Sequence, residues 1–339
     1  MRVLVTGASG FIGLHLCAKL ATAGRTTIAC SRSRVEAPEI FYVASPELSG
    51  KADWISALSG VDTIVHLAGR AHVDGTGNAA EVDAEYQRIN AGATRRLAGQ
   101  AVDAGVKHFV LMSSLHAVAA SADTMIDGTT VPHPVSAYGR SKLAAEQAVQ
   151  EELAGSDCGW SILRPPLVYG PGNKANFGLL LKLVKTGLPL PLASVHNRRS
   201  FIYVENLVDL ITTCLGNSKA FGKTFLPSDG EDVSTPELIR KIAKANASVE
   251  QGAGSREQGA SIGEQRSEAG KPTRHSPSLF PFPASLLKAI GRLPGLGALR
   301  KLTSSLYVDS EPVRRDLGWT PPFTMEEGLN RTLAGRVEI

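Results

Sequence analysis

The chain has 339 residues, of which 43% are hydrophobic and 20% are charged, and its formal net charge is +4 at pH 7. At about 150 residues per domain, this length predicts two domains whose cores need no disulfide or structural metal. The mild, diffuse charge argues against nucleic acid as a partner, and the absence of a run of about 20 apolar residues argues against a transmembrane segment.

Short runs of β-branched and apolar residues alternate with stretches in which apolar residues recur at helical spacing. The runs predicted to be strands are Arg2–Thr6, Thr26–Cys30, Ile40–Val43, Thr63–Leu67, His108–Met112 and Trp160–Arg164. Helices are predicted over Phe11–Ala23, 81–104 and 136–153. This alternation predicts βαβ units and therefore an α/β fold, a Rossmann-type doubly wound parallel sheet. Ligands of such sheets bind outside the carboxyl ends of the strands.

After Arg164 the pattern changes, because prolines interrupt it and the helices become shorter. We therefore divide the chain into a Rossmann-type domain at 1–165 and a smaller C-terminal substrate domain at 166–339. Segments near 200–228 are predicted to return to the first sheet, with candidate strands at Ser200–Val204 and Lys223–Leu226.

Two later stretches differ from the rest in composition. Residues 248–278 are rich in Gly, Ser, Glu, Gln and Arg, and we predict a mobile insertion because so little apolar surface cannot offset the entropy of ordering. A docking arm for a partner is the alternative. Residues 280–302 are apolar with several Gly and Pro. A helix that caps the substrate domain is the favoured interpretation there, and a peripheral membrane contact is the alternative.

The first strand is followed at once by a glycine-rich turn that opens the first helix. The first glycine of this turn permits the tight turn, the second lets the backbone approach a pyrophosphate, and the third allows close packing of helix and strand. The helix N-terminus faces the phosphate charge. We predict a dinucleotide site lined by Gly7, Ser9, Gly10, Phe11, Ile12 and Gly13.

The residues after the second strand indicate which dinucleotide binds. An acidic residue there binds the ribose 2′-hydroxyl of NAD, whereas an arginine accommodates the 2′-phosphate of NADP. This chain has Ser31-Arg32-Ser33-Arg34 and no carboxylate until Glu36. We therefore favour NADP(H) bound through Arg32, with NAD as the alternative.

Tyr138 and Lys142 are four residues apart, which places both on one face of the predicted helix at 136–153. A neighbouring ammonium group, joined by an oxidised nicotinamide, favours the phenolate and makes Tyr138 a workable acid and base. Ser114 lies just past the fifth strand, at the carboxyl edge of the sheet. Its hydroxyl can hydrogen-bond a substrate oxygen on which charge develops.

The four cysteines are far apart in the sequence. Cys17, Cys30, Cys158 and Cys214 form no Cys-x-x-Cys pair and no Cys/His cluster. This spacing argues against a disulfide framework or a metal site and suits the reducing cytoplasm. The N-terminus, Met-Arg followed directly by a β-like run, does not resemble a signal peptide.

Six motifs resemble those of the extended short-chain dehydrogenase/reductases, in the NAD-dependent epimerase/dehydratase family. They are TGASGFIG (Thr6–Gly13), HLAG (His66–Gly69), Asn90, Ser113-Ser114, YGRSK (Tyr138–Lys142) and RPPLVYGPG (Arg164–Gly172). The resemblance covers nearly the whole chain apart from 248–278. It implies that Ser114, Tyr138 and Lys142 form a catalytic triad and that Lys142 also binds the nicotinamide ribose.

The same resemblance implies further contacts with the cofactor, by Leu67, Ala68, Gly69, Asn90 and Pro166. The loop after Ser114 departs from the family pattern, because it lacks the expected aromatic–glycine pair. We interpret His116 in this loop as a surface histidine, with a substrate contact as the alternative.

The second half resembles the nucleotide-sugar branch of the family, through Asn176-Phe177 and Arg198–Val204. This resemblance implies that Asn176 and Phe177 contact a UDP-sugar, as Ser114 does, and that Arg199 binds its diphosphate. A surface ion pair is the alternative for Arg199. Further runs, among them His66–Val73 and Gly187–Leu192, resemble bacterial enzymes that reduce UDP-2-acetamido-4-keto-6-deoxyhexoses for surface polysaccharide.

These features favour NADPH-dependent reduction of a UDP-4-keto-6-deoxy-N-acetylhexosamine, because Arg32 suits the more reduced NADP pool. The alternative is an NAD-dependent 4-epimerase like UDP-glucose 4-epimerase, in which Tyr138 removes the proton of the C4 hydroxyl. A cofactor-sensing regulator without turnover is a distant alternative, disfavoured because Ser114, Tyr138 and Lys142 are all present. By the resemblance we also expect a homodimer formed through the helices at 81–104 and 136–153.

Overall fold

The central strands of the larger sheet are almost wholly buried, as expected where helices cover a parallel sheet on either side. The edge strand at Ile40–Ala44 is partly exposed. The computed structural model describes residues 1–35, 39–71, 78–173, 176–258, 277–291 and 297–335. The strands are β1 (Arg2–Thr6), β2 (Thr26–Ser31), β3 (Ile40–Ala44), β4 (Thr63–His66), β5 (His108–Met112), β6 (Gly159–Leu163), β7 (Leu167–Tyr169), β8 (Arg199–Tyr203), β9 (Lys223–Phe225) and β10 (Asp232–Val233). Seven of them form one parallel sheet in the order β3-β2-β1-β4-β5-β6-β9. The predicted Rossmann-type fold is therefore confirmed.

The helices of the first half connect these strands, and those of the second half pack partly on the larger sheet and partly on the smaller one. In chain order they are α1 (Phe11–Thr22), α2 (Ile55–Leu58), α3 (Ala79–Tyr86), α4 (Ala93–Asp103), α5 (Ala137–Glu152), α6 (Asn176–Lys185), α7 (Val204–Cys214), α8 (Thr235–Gln258), α9 (Ala284–Ile290), α10 (Gly297–Thr303), α11 (Glu311–Leu317) and α12 (Met325–Ala334). A π-helical turn over Gln87–Gly92 joins α3 to α4. The helix predicted at 81–104 is therefore one helix with an irregular turn in its middle.

One of the two predicted returning strands joins the larger sheet and the other does not. Lys223–Phe225 pairs with β6 as predicted. The prediction for Ser200–Val204 is wrong, because β8 pairs instead with β7 in parallel and with β10 in antiparallel orientation, in a second sheet of three strands. The edge of β6 that β8 could have joined is already taken by β9.

Four apolar cores are found among the described residues, three of them large and a smaller one around Leu115 and Val308. Leu16 of α1 and Leu207 of α7 pack on one face of the larger sheet, whereas Leu97 of α4 and Val149 of α5 pack on the other. The third core lies between the smaller sheet and α6, α8 and α12, around Phe201. Because α7 covers the larger sheet, part of the second half contributes to the first. The domain boundary at 165/166 stays a prediction.

The stretches of unusual composition fall partly on described residues. The predicted insertion at 248–278 begins inside α8, which continues to Gln258, and residues 259–276 lie outside the described residues. Short helices, α9 and α10, form within 280–302 and pack on the third core. None of the described helices combines the length and apolarity that crossing a bilayer requires.

Candidate active site

The glycine-rich turn after β1 packs closely against the loop after β4 and against the start of α1. Gly7 has φ +70°, and a Cβ atom there would lie 2.8 Å from the backbone nitrogen of Ala68. A Cβ at Gly13 would collide with the carbonyl oxygen of Gly7. Gly10 precedes α1, and no side chain caps the free N–H groups of that helix. An uncapped helix N-terminus beside a side-chain-free turn fits the pyrophosphate of a dinucleotide.

The loop after β4 packs closely against the lysine. A Cβ atom on Gly69 would lie 2.9 Å from Asn90 Oδ1 and 3.4 Å from Lys142 Nζ. Position 69 therefore accepts no side chain unless Asn90 moves. The predicted cofactor residues Leu67, Ala68 and Gly69 thus border both the glycine-rich turn and the lysine.

A directed chain of hydrogen bonds joins the ends of β1 and β4 to the π-helical turn that contains Asn90. The Thr94 hydroxyl donates to the carbonyl oxygen of Asn90 (2.6 Å), so His66 Nε2–H must donate to Thr94 Oγ1 (2.9 Å). His66 Nδ1 then accepts from the Thr6 hydroxyl (2.7 Å), whose oxygen accepts the Ala68 N–H (3.2 Å). Burial lowers the pKa of His66 to about 3, so the imidazole is neutral, as this chain of bonds requires. The link between Thr6 and Thr94 through His66 was not predicted from the sequence.

Asn90 lies in the π-helical turn and is buried. Its amide oxygen accepts the Arg70 N–H (2.7 Å), and its amide nitrogen donates to the Arg70 carbonyl (3.0 Å) and to Ser141 Oγ (2.9 Å). Ser141 in turn donates to the backbone carbonyl of Tyr138 (2.8 Å). Asn90 therefore joins the loop after β4 to the helix that carries Tyr138, while its predicted contact with the cofactor stays a prediction.

The structure brings Ser114, Tyr138 and Lys142 together at the carboxyl end of β5. The Ser114 hydroxyl hydrogen-bonds the phenol of Tyr138 and accepts the N–H of His116 (3.2 Å). Lys142 is buried one helical turn below Tyr138 on α5, and its Nζ donates to the carbonyl of Met112, the last residue of β5 (2.9 Å). The predicted spacing on one helical face is therefore present.

The pKa values of these groups are set mainly by burial. Burial raises the pKa of Tyr138, and the hydrogen bond from Ser114 opposes this rise. Burial lowers the pKa of Lys142 to about 8. Sequence analysis expected the ammonium group to lower the pKa of Tyr138, but the protein alone does not show this net lowering. The physical reason is that burial raises the pKa of Tyr138, while Lys142 Nζ donates to the carbonyl of Met112.

A buried ion pair lies next to the triad. Glu146, four residues after Lys142, pairs with Arg164 through Nε (2.9 Å) and Nη2 (2.6 Å) and also accepts the hydroxyl of Ser113. Its charge raises the pKa of Lys142 against the effect of burial. Sequence analysis missed this group, although its spacing from Lys142 puts it on the same helical face.

Arg199 begins β8 at the border of the site. Its Nη1 donates to the carbonyls of Lys301 (2.7 Å) and Ser304 (3.1 Å), and it has no carboxylate partner among the described residues. The surface ion pair considered as an alternative is therefore not found. A largely buried guanidinium without a counter-charge fits an anionic ligand such as a diphosphate.

The other two predicted substrate residues are Asn176 and Phe177. Asn176 is the first residue of α6. Phe177 is only 2% exposed, and its ring lies 5.2 Å from the ring of Tyr169 in the third core. A substrate contact by this ring is not supported, because the side chain is used to pack α6 on the smaller sheet.

His116 is half-buried beside Tyr138, so its interpretation as a surface histidine is wrong. The centres of the two rings are 6.1 Å apart. Burial lowers the pKa of His116, and the positive charges of Lys301 and Arg199 lower it further. His116 therefore lies between the phenol and the basic groups, because the turn at Leu115–Ala117 folds back toward α5. Its contact with a substrate stays a prediction.

The remaining cofactor residues occupy the expected strand ends. Arg32 follows β2 directly and is exposed, and Pro166 is buried between β6 and β7. No cluster of His, Cys, Asp and Glu within the described ranges could hold a metal ion.

Comparison with known proteins assigns this site to a family. The model of the family described as "NAD dependent epimerase/dehydratase family" matches residues 3–225. A UDP-glucose 4-epimerase of Vibrio cholerae is 34% identical over 97% of this chain and 94% of its own length. An N-acetyl-alpha-D-glucosaminyl-diphospho-ditrans,octacis-undecaprenol 4-epimerase of Escherichia coli O157:H7 is 26% identical over 98% of this chain and 94% of its own length.

A solved structure gives the same picture of the fold. The structure of MoeE5 in complex with UDP-glucuronic acid and NAD superposes with a TM-score of 0.74 at 25% identity, covering 99% of this chain and 98% of that one. The likeness extends over both layers of the molecule, including the smaller sheet.

Proposed function

The chain belongs to the NAD-dependent epimerase/dehydratase family, as an enzyme of the short-chain dehydrogenase/reductase type, and from that premise we propose that it transfers hydride at carbon 4 of a UDP-hexose. One observation carries the proposal. The Ser114 hydroxyl and the Tyr138 phenol are hydrogen-bonded near the buried Lys142, at the sheet edge where the glycine-rich turn meets the uncapped N-terminus of α1, which fits a pyrophosphate. A regulator without turnover has no use for this arrangement.

The residues present fit a nicotinamide dinucleotide. Gly7 to Gly13 would hold the pyrophosphate, Lys142 would hold the nicotinamide ribose, and Arg32 would accept a 2′-phosphate. The bound nicotinamide supplies or accepts the hydride. NADP(H) remains our preferred cofactor because of Arg32, whereas the structural neighbour MoeE5 was solved with NAD.

Tyr138 exchanges the proton at the oxygen on carbon 4. In a reduction its phenol donates a proton to the carbonyl oxygen, and in an oxidation its phenolate accepts the proton of the hydroxyl. Lys142 is largely protonated below its pKa of about 8, and its positive charge stabilises the phenolate. Ser114 hydrogen-bonds the same substrate oxygen and so stabilises the charge that develops there.

A nucleotide sugar is the substrate class that the border of the site favours. Arg199 offers a guanidinium without a carboxylate partner in the described chain, and a diphosphate presents oxygens that match its planar geometry. The positive charges of Lys301 and Arg199 act on His116, whose ring lies 6.1 Å from that of Tyr138. The names of the relatives, UDP-glucose 4-epimerase among them, support a UDP-sugar.

Two reactions at carbon 4 are compatible with this site. Arg32 favours NADPH-dependent reduction of a UDP-4-keto-6-deoxy-N-acetylhexosamine, a precursor of surface polysaccharide. The 34% identical relative favours epimerisation with NAD to an equal degree. We further propose that the enzyme is a homodimer formed through α3–α4 and α5 and acts in the cytoplasm.

Product analysis separates the two reactions. The purified protein is incubated with UDP-glucose or UDP-N-acetylglucosamine without added cofactor, and in parallel with NADPH and UDP-4-keto sugars. NADPH consumption with a product two mass units heavier than the keto sugar supports reduction. An epimer formed without added cofactor, together with NAD⁺ released on denaturation, supports epimerisation. If neither product forms from any UDP-sugar, the proposal is contradicted.

A further inference from the structure

Two stretches of the second half contain no acidic residue. Neither Cys158–Val204 nor Ala269–Val308 contains an Asp or a Glu, although the chain has 32 of them. Both stretches are nevertheless basic, with six Lys and Arg each. Such an imbalance over two separate stretches matters only if they meet in the folded protein.

The structure brings these stretches together. The N–H of Leu190 donates to the carbonyl of Ser278 (2.9 Å), and the N–H of Phe280 donates to the carbonyl of Leu190 (3.1 Å). Leu180 of α6, Leu190 and Leu287 of α9 are buried in the same core, and Leu299 of α10 packs against it. We call the outer surface of α6, residues 187–193, residues 277–283, α9 and α10 the acid-free face.

Large apolar side chains on this face point into solvent. Leu179 is 62% exposed, Leu188 58%, Leu286 49% and Phe280 42%. These residues belong to elements that pack on one core, and Leu188 lies two residues from Leu190, whose N–H and carbonyl bond to Ser278 and Phe280. Four such residues on the two acid-free stretches differ from single exposed apolar residues, which are normal on any protein.

The basic side chains on this face lack counter-charges. Lys182, Lys185, Arg300 and Lys301 are exposed, and none has a carboxylate partner in the described part of the chain. Several exposed basic residues elsewhere on the surface are paired. Arg88, Arg95, Arg140 and Lys244 each form an ion pair with a carboxylate.

We propose that the acid-free face docks on an anionic membrane surface. Exposed leucines and a phenylalanine supply apolar groups that insert at the level of the lipid headgroups, and unpaired lysines and arginines supply attraction to anionic lipid. Because the face carries no acidic residue, nothing on it repels such a surface. Charge complementarity thus selects lipid as the occupant.

The face borders the candidate active site. The carbonyl of Lys301 accepts a hydrogen bond from Arg199 (2.7 Å), and the positive charge of Lys301 acts on His116. Docking through this face therefore holds the substrate entrance close to the membrane plane. The inference concerns the surface alone and does not depend on which sugar reacts.

Sedimentation with vesicles tests the proposal. The purified full chain is mixed with vesicles of phosphatidylcholine, with or without phosphatidylglycerol, and the bound fraction is measured in the absence of any substrate. We expect binding to the vesicles that contain phosphatidylglycerol, weakening as salt is added. The double variants Leu179→Ser/Leu188→Ser and Lys182→Glu/Lys185→Glu should each lower the partition coefficient at least about tenfold.

Matched variants outside the face serve as controls. Phe41→Ser/Ile55→Ser removes two exposed apolar residues from the first half, and Lys244→Glu reverses one exposed charge. Both should bind vesicles as the parent does, and thermal unfolding checks that all variants fold. The proposal is overturned if the parent stays in solution with anionic vesicles, or if the controls lose binding equally. It is also overturned if the face instead joins two copies of the chain, seen as a dimer that the leucine variant abolishes without any binding to vesicles.

Discussion

Polar side chains are paired in the crevice at the carboxyl ends of the strands but lack carboxylate partners on the acid-free face, among the described residues. In the crevice, buried polar side chains are paired with one another, as Glu146 is with Arg164 and His66 is with Thr6 and Thr94. On the acid-free face, Lys182 and Lys185 are exposed without carboxylate partners among the residues described. Paired groups hold a geometry in place, whereas unpaired cations are available to an external anion.

Arg199 lies at the border of these two regions and combines features of both. It is largely buried like the crevice groups, yet backbone carbonyls are its only observed partners, and none of the described carboxylates pairs with it. This combination supports the proposal that Arg199 binds an anionic ligand. Each prediction below alters a member of one region and uses a residue elsewhere as its control.

The largest effect is expected for the phenol. Tyr138→Phe should lower turnover of the UDP-sugar by about 10²–10⁴-fold, because the proton at the C4 oxygen loses its acid and base. Binding of the dinucleotide, measured by titration calorimetry, should be retained. Tyr307→Phe, which removes a hydroxyl bonded only to the carbonyl of Asp123, should leave turnover unchanged. Equal turnover in Tyr138→Phe and the parent would remove Tyr138 as the acid.

Breaking the buried ion pair should cost stability. Glu146→Gln should lower the free energy of unfolding by about 3 kcal/mol, because Arg164 keeps its charge in a buried site without a carboxylate. Urea denaturation measures this loss. Glu326→Gln removes one partner of the exposed pair with Lys244 and should leave the midpoint unchanged. If both variants lose the same stability, the crevice pairs are no more important than the surface ones.

The neutral His66 should make the protein sensitive to acid. Its folded pKa of about 3 lies below the unfolded value of about 6.5, so the unfolded chain binds the extra proton first as the pH falls. Stability should therefore decline from about pH 6.5 toward pH 3, with a loss of about 2 kcal/mol from this group by pH 5. His66→Gln should show a shallower decline in denaturation midpoints measured across this range. The exposed His133→Gln should follow the parent, and parallel curves for all three proteins would exclude His66 as the cause.

The smallest of the expected effects concerns the preference for NADPH over NADH. Arg32→Ala should weaken binding of NADPH about tenfold, because the 2′-phosphate loses its partner, and should leave binding of NADH unchanged. Arg25→Ala, at the opposite end of β2, is the control. Fluorescence titration with both dinucleotides measures the change. An unaltered preference in Arg32→Ala would contradict the assignment of a 2′-phosphate site.

The parts of the molecule that sequence analysis predicted are those that local patterns determine. Fully buried parallel strands appear as apolar runs, so β1 and β5 could be located from the sequence. The positions of Tyr138 and Lys142 on one face follow from helical spacing. The glycines of the turn after β1 are required by backbone geometry, which the sequence displays directly.

The parts that it missed depend on contacts between distant residues. The residue pattern of β8 is that of a strand of the larger sheet. It is excluded from that sheet because β9 already pairs with β6. His66 and Thr94 are 28 residues apart, and Ser113 and Glu146 are 33 apart, so their bonds exist only after folding. His116 was misjudged because its burial depends on the packing of its turn against α5.

The most direct test of the account follows the hydrogen on carbon 4. The enzyme is given UDP-glucose that carries deuterium at C4, or a UDP-4-keto sugar with NADPH deuterated at its transferable position, and the product is examined by NMR. In whichever reaction proceeds, the account predicts that deuterium resides on C4 of the product and that the deuterated reactant turns over more slowly. Deuterium lost to water, or a change at another carbon of the sugar, would contradict it.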